Sequence, residues 1–254
     1  LYFLSPFVYM LFTTFKTEAE AIAYPPKMFP KKWLVENYLN AWNAQPFGRY
    51  LWNSIVVTVG TTAGQIISCS LVAYGFGRYN FKGKNVLFMI LLSSMMIPWD
   101  LTMIPQYMEF KIFGWINTLK PLIVPAWFGS AYYIFLMRQF LMGVPKDFEE
   151  AARIDGANAF QIYWRIFMPI MKPQLILVGV LNMITVWNDY LGPLIFLQDR
   201  SKFTLALGLA SFKGVHSTQI IPMLCITVIM ILPPIIVFLF AQKHIVEGTS
   251  GAIK

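Results

Sequence analysis

Apolar residues gather in six stretches, at 1–15, 54–76, 86–108, 121–137, 174–197 and 219–241, with shorter polar segments between them. Within each stretch they are continuous, not alternating, which predicts helices instead of barrel strands. The full stretches approach the ~20 residues that a helix needs to cross ~30 Å of hydrocarbon. The first stretch opens the chain in mid-run and without Met, and reads as shortened at its start. The pattern predicts an all-α integral membrane protein of six transmembrane helices, one transmembrane domain over residues 1–254.

Several stretches carry polar groups. The second holds Thr58, Thr61, Thr62, Gln65, Ser68 and Ser70; small and hydroxylic side chains let membrane helices approach closely and hydrogen-bond. The third is broken by Pro98 and Pro105 around Trp99-Asp100. Each proline removes a backbone donor, so a kink or a helix end is expected there.

Composition supports the membrane reading. Hydrophobic residues make up 57% of the chain and charged residues only 13%, about half the charge of a soluble domain. That excludes an ordinary cytosolic enzyme, and a disordered chain as well. The net charge of +8, from 20 basic and 12 acidic side chains, is scattered over short segments, as in a protein facing anionic lipid heads. A nucleic-acid binder would gather it into a stripe. Cys69 and Cys225 stand alone in apolar runs and read as buried small hydrophobes. His216 and His244 are too far apart to form a metal or catalytic cluster. No metal site, no nucleophile–His–acid set and no Gly-x-x-x-x-Gly-Lys-Ser/Thr loop is present in the sequence, so the chain has no ATP-hydrolysing site of its own.

The segment 138–173 is the most informative. Pro145 and the acidic Asp147, Glu149 and Glu150 favour a helix start, and Gly156 favours its left-handed end. Phe148, Ala151, Ala152 and Asp155 then share one face. Phe160, Tyr163, Trp164 and Phe167 repeat that spacing in a second short helix, which Pro169 is expected to end. Lys146–Asp155 holds two basic and four acidic residues, a poor fit to an anionic lipid surface. A docking helix seated in a partner's groove is favoured instead, with Phe148 as anchor, the small Ala151-Ala152 pair allowing close approach, and Glu149, Glu150 and Asp155 meeting basic groups.

Glu150-Ala151-Ala152, Asp155-Gly156-Ala157, Ile166 and Pro169 resemble the EAA loop of binding-protein-dependent ABC importer permeases. Ala73-Tyr74-Gly75-Phe76-Gly77-Arg78, Met96-Ile97-Pro98 through Ile104-Pro105, Trp187-Asn188-Asp189-Tyr190 and the tail Gly248-Thr249-Ser250-Gly251-Ala252-Ile253-Lys254 resemble the carbohydrate-uptake branch, in its shorter, maltose-transporter-type permease. The resemblance covers essentially the whole chain, with Met168 standing where many relatives have Leu. It implies the type I ABC importer permease fold and a bacterial or archaeal cytoplasmic membrane. It also implies a second homologous permease, two ATP-binding subunits that hold Mg-ATP, and an extracytoplasmic solute-binding protein, with no cofactor in this chain and no nucleic acid. The EAA loop is then cytoplasmic, and Phe148, Glu149, Glu150, Ala151, Ala152, Asp155 and Gly156 form the ATPase-coupling helix. Basic residues alone divide ten and ten between alternating connecting segments; only the cluster Arg78–Lys82–Lys84 favours the same orientation.

For the substrate path, Trp187, Asn188, Asp189 and Tyr190 are the first candidates. Asp189 lies roughly 22 Å along a helix counted from Gln174 at ~1.5 Å per residue, and a carboxylate at such depth faces a cavity or a partner. Gln65 and Asn182 are further candidates, for which a role as packing polar groups is the favoured reading. The alternatives are an ABC permease for a non-sugar solute, and an ion-coupled secondary transporter, against which the missing inverted repeat and the sparse intramembrane acids speak.

Overall fold

The computed structural model describes residues 2–214 and 219–250. His216 and the last four residues of the tail lie outside the described residues, as does Leu1. The regular structure is helical: α1 (Ser5–Thr13), α2 (Glu18–Ala21), α3 (Glu36–Asn43), α4 (Phe47–Arg78), α5 (Lys84–Ser93), α6 (Trp99–Ile112), α7 (Lys120–Ile123), α8 (Ala131–Met142), α9 (Asp147–Ile154), α10 (Ala159–Ile162), α11 (Met168–Ile170), α12 (Lys172–Trp187), α13 (Leu191–Phe196), α14 (Leu205–Ala210) and α15 (Ile220–Ser250).

Two of the predicted stretches are single helices long and apolar enough to cross a membrane: α4, and α15 over Ile220–Lys243. The third stretch lies in a helix pair bent by 96°, Lys84–Met96 with Trp99–Ile112, and the fifth begins in the second helix of a pair bent by 74°, Ala159–Ile170 with Lys172–Trp187. The first bend falls at Pro98, whose extended backbone (ψ 143°) ends one helix before the next begins. Pro105 remains inside α6. The stretches at 121–137 and 174–197 are not the continuous helices expected. In the former, α7 passes into a 3₁₀ turn (Val124–Phe128) that stops at Gly129, φ 87°. In the latter, α12 ends at Trp187 and α13 starts only at Leu191.

The chain forms two compact units, one of residues 1–56 and 187–236, the other of 57–186 and 237–254. The core of the first gathers Phe47, Tyr50, Trp187, Leu205, Phe212 and Cys225. Asn53 donates to the carbonyls of Ser201 (3.1 Å) and Phe203 (3.0 Å), and the Ser54 hydroxyl accepts from Leu205 N–H (2.8 Å). Here α14 lies so close that a Cβ on Gly208 would stand 2.2 Å from the Tyr50 ring. The Glu18 carboxylate accepts from Ile221 N–H (3.2 Å) at the start of α15, where a negative charge meets the positive helix end.

The second unit packs Ala73, Tyr74, Met137, Leu141, Ala152, Ile162, Tyr163, Phe167 and Met171 together. Cys69 and Cys225 are free and fully buried, as small hydrophobes should be.

Candidate functional site

The candidate site is built on α9. Its end follows from sequence: Gly156 takes φ 79°, the left-handed conformation that glycine adopts at least cost. Gly156 N–H then reaches Arg153 O (3.0 Å) and Ala157 N–H reaches Ala152 O (2.9 Å), the two bonds of a Schellman stop. The next helix is set at once by a capping box, in which Asn158 and Gln161 each accept from the other's backbone N–H at 2.9 Å. The Asn-x-x-Gln spacing carries that signal in the sequence.

Phe148, Ala151, Ala152 and Asp155 do share a face. With Pro145 and Ile166 they line a shallow groove of about 500 Å³. Phe148 is half exposed, Ala151 and Asp155 are exposed, and Ala152 is buried against the core below. Glu150 is exposed on the outer side of α9. The groove thus offers a small, partly apolar floor with carboxylates at its rim, including Asp147.

Glu149 departs from the expectation that it faces a partner. It is buried, and its carboxylate receives Arg78 Nε at 3.2 Å and Arg153 Nη2 on its other oxygen. Arg78 is the last residue of α4, and its side chain is buried. It donates to Leu141 O (3.2 Å), Val144 O (2.8 Å) and Pro145 O (3.3 Å), and its guanidinium lies 4.8 Å from the Phe167 ring centroid. The planar fork of arginine suits such multiple reception. The physical reason for the inward turn is therefore a buried cation that only a carboxylate balances. In the sequence Arg78 stands out as the end of Ala73–Arg78 and as part of a basic turn, but nothing there pairs it with Glu149, 71 positions away.

The second short helix is also different. Residues Tyr163–Phe167 form a π turn, closed by Met168 N–H to Tyr163 O, and Pro169 lies in α11 without ending the segment. The extra residue splits the expected stripe. Tyr163 and Phe167 point into the core, and Ser70 and Tyr163 share a hydroxyl–hydroxyl hydrogen bond (2.8 Å). Phe160 and Trp164 stay exposed and stack on each other at 6.4 Å and 10°.

The substrate-path candidates do not form one cluster. Trp187 is corrected to a core residue of the first unit: it is 3% exposed and its indole N–H donates to Met230 O at 2.9 Å, leaving no face to stack on a ligand. Asn188, Asp189 and Tyr190 occupy the break after α12, exposed or half-exposed. The Asp189 carboxylate accepts from Gly192 N–H (3.1 Å) at the start of α13. Asn182, in the second unit, is buried and ties α12 to α4 through Thr62 (2.9 Å) and Thr61 (3.4 Å). Gln65 is buried and accepts from the Cys69 thiol (3.0 Å).

The sequence profile described as "Binding-protein-dependent transport system inner membrane component" matches residues 70–250. The arabinooligosaccharides transport system permease protein AraQ of Bacillus subtilis (strain 168) is 34% identical over 227 residues, 89% of this chain and 80% of that protein. The diacetylchitobiose uptake system permease protein NgcG of Streptomyces coelicolor is 27% identical over 248 residues, 96% of this chain and 82% of that protein. Among solved structures, a chain of a bacterial ABC transporter involved in the import of the acidic polysaccharide alginate superposes with a TM-score of 0.84 and 25% identity, over 96% of this chain and 91% of that one.

Proposed function

The chain belongs to the family of binding-protein-dependent transport system inner membrane components, and on that premise we propose that it is the permease subunit of an ATP-driven carbohydrate importer. Three similar proteins, named for arabinooligosaccharides, diacetylchitobiose and alginate, support a carbohydrate as cargo. The chain works in a bacterial or archaeal cytoplasmic membrane, as a multi-pass domain over residues 1–254. Its partners are a second homologous permease, two ATP-binding subunits and an extracytoplasmic solute-binding protein. Mg-ATP is bound and hydrolysed by the partner subunits.

One observation carries the coupling part of this reading: an exposed, small-residue groove with an acidic rim on a short helix fixed to the end of α4. Such a surface fits a helix-in-groove contact, with Phe148 as anchor, Ala151 and Ala152 at the closest approach, and Glu150 and Asp155 as the charges left free of the internal network. Gly156 sets where α9 stops. Glu149 serves the inside of the chain. For the cargo, Asn188, Asp189 and Tyr190 offer amide, carboxylate and aromatic chemistry to sugar hydroxyls and ring faces; Gln65 and Asn182 serve helix packing.

Purification of the tagged chain in mild detergent from cells expressing its native partners tests the assignment. A second permease and a Walker-motif ATPase are expected in the complex. A clean homo-oligomer overturns it in favour of an ion-coupled transporter, with Asp189 the first residue to suspect. Glu150→Lys and Ala151→Asp, both on exposed positions, should lower the ATPase content of the complex without altering membrane insertion. Full ATPase content in both variants refutes the assignment of α9.

A further inference from the structure

The network under α9 has a role that no docking contact requires. Arg78 is the terminal residue of a 32-residue helix, yet its side chain is only 3% exposed. Its donors reach carbonyls at the end of α8 and in the turn after it, and the carboxylate of Glu149 on α9. The same guanidinium covers Phe167 in the π turn. One side chain therefore fastens α4 to α8, to α9 and to the segment after it. Two further ties act at the same end of α4: Arg138 donates to Phe76 O (3.2 Å), and Ser70 bonds Tyr163 (2.8 Å). By contrast, the outward arm of the network, Arg153 to Glu149, is half exposed and spans a single helical turn.

We infer that Arg78 is a positioning residue that locks α9 to the end of α4, so that the docking helix and the last turns of the membrane helix move as one rigid body. The inference rests on α9 being the coupling helix, but it concerns how displacement is passed on, not what α9 touches. A pivoting α9 would need a hinge with few internal bonds; here the connection is a buried ion pair backed by three carbonyls. Lysine in place of Arg78 keeps the charge but, as a point charge, cannot serve Glu149 and three carbonyls together.

The test uses the assembled transporter with spin labels at Leu71→Cys on α4 and Ile154→Cys on α9, both exposed positions, and pulsed electron paramagnetic resonance as readout. Distances are taken without nucleotide and with vanadate-trapped Mg-ATP. The wild-type distance should be the same in both states. Arg78→Lys should roughly double the width of the distribution and slow ATP hydrolysis, with ATPase content retained. Glu149→Gln should broaden it less, and Arg153→Ala not at all. A wild-type shift of about a helical turn, ~5 Å, between the states overturns the proposal. So does an Arg78→Lys distribution and hydrolysis rate indistinguishable from wild type. The two readings fail separately: if Glu150→Lys and Ala151→Asp leave ATPase content intact, the docking assignment fails, whereas the distance data still report whether α9 and α4 are locked.

Discussion

The first turns of α4 and its last residue are fastened by different chemistry. At Tyr50–Ser54 the bonds are neutral: an amide and a hydroxyl meet the backbone of residues 201–205, and the Tyr50 ring fills the space left by the missing side chain of Gly208. At Arg78 the bond is ionic and one cation serves several acceptors. Neutral groups are cheap to bury once bonded, so the first region depends on fit. A buried charge is costly without its partner, so the second depends on the pair staying complete. The difference separates a region held by fit from one held by a completed charge pair.

That contrast orders the expected effects of substitution. Arg78→Ala leaves Glu149 and three carbonyls without their buried donor, and should cost about 3–5 kcal/mol, read as the largest loss of thermal stability in detergent among these variants. Gly208→Ala forces Tyr50 to move and should cost about 1–3 kcal/mol by overpacking. In a Tyr50→Ala background the same change should be nearly neutral, a coupling that a double-mutant cycle measures directly. Asn53→Ala removes one amide from two carbonyls and should cost about 1–2 kcal/mol, without the salt dependence of the charged end. Arg153→Ala, whose side chain is more than half exposed, should cost below about 0.5 kcal/mol and fade as salt is raised. An Arg78→Ala protein no less stable than Asn53→Ala would erase the distinction between the two regions.

Much of this was legible in the sequence where the governing interactions are local. Acidic residues after Pro145 and the glycine at 156 place α9 within a residue or two, because both signals act within one turn. The apolar runs at 54–76 and 219–241 mark helices because length and composition suffice. The breaks at Gly129 and at Asn188–Tyr190 escaped, since continuous hydrophobicity says how much surface is buried but not where the backbone bends. A short acidic helix suggests an outward Glu149; its buried partner arrives from another helix. The polar neighbours of Trp187 suggest a ligand platform, yet its position is decided by the cluster around Phe47 and Phe212 and by a carbonyl at Met230.

The π turn at Tyr163–Phe167 has a consequence for how this segment can vary in length. It holds one residue more than a regular helix would place there, so deleting one residue lets the turn close as an ordinary α-helix and leaves the residues on either side in register. Phe167 then keeps a place beneath Arg78, and the fully buried Met171 stays turned to the core. A one-residue deletion in this turn should therefore be less damaging than one inside a membrane helix. An insertion at the Asp155–Gly156 stop finds no such slack, because Gly156 and Ala157 close α9 and Asn158 caps the next helix at once.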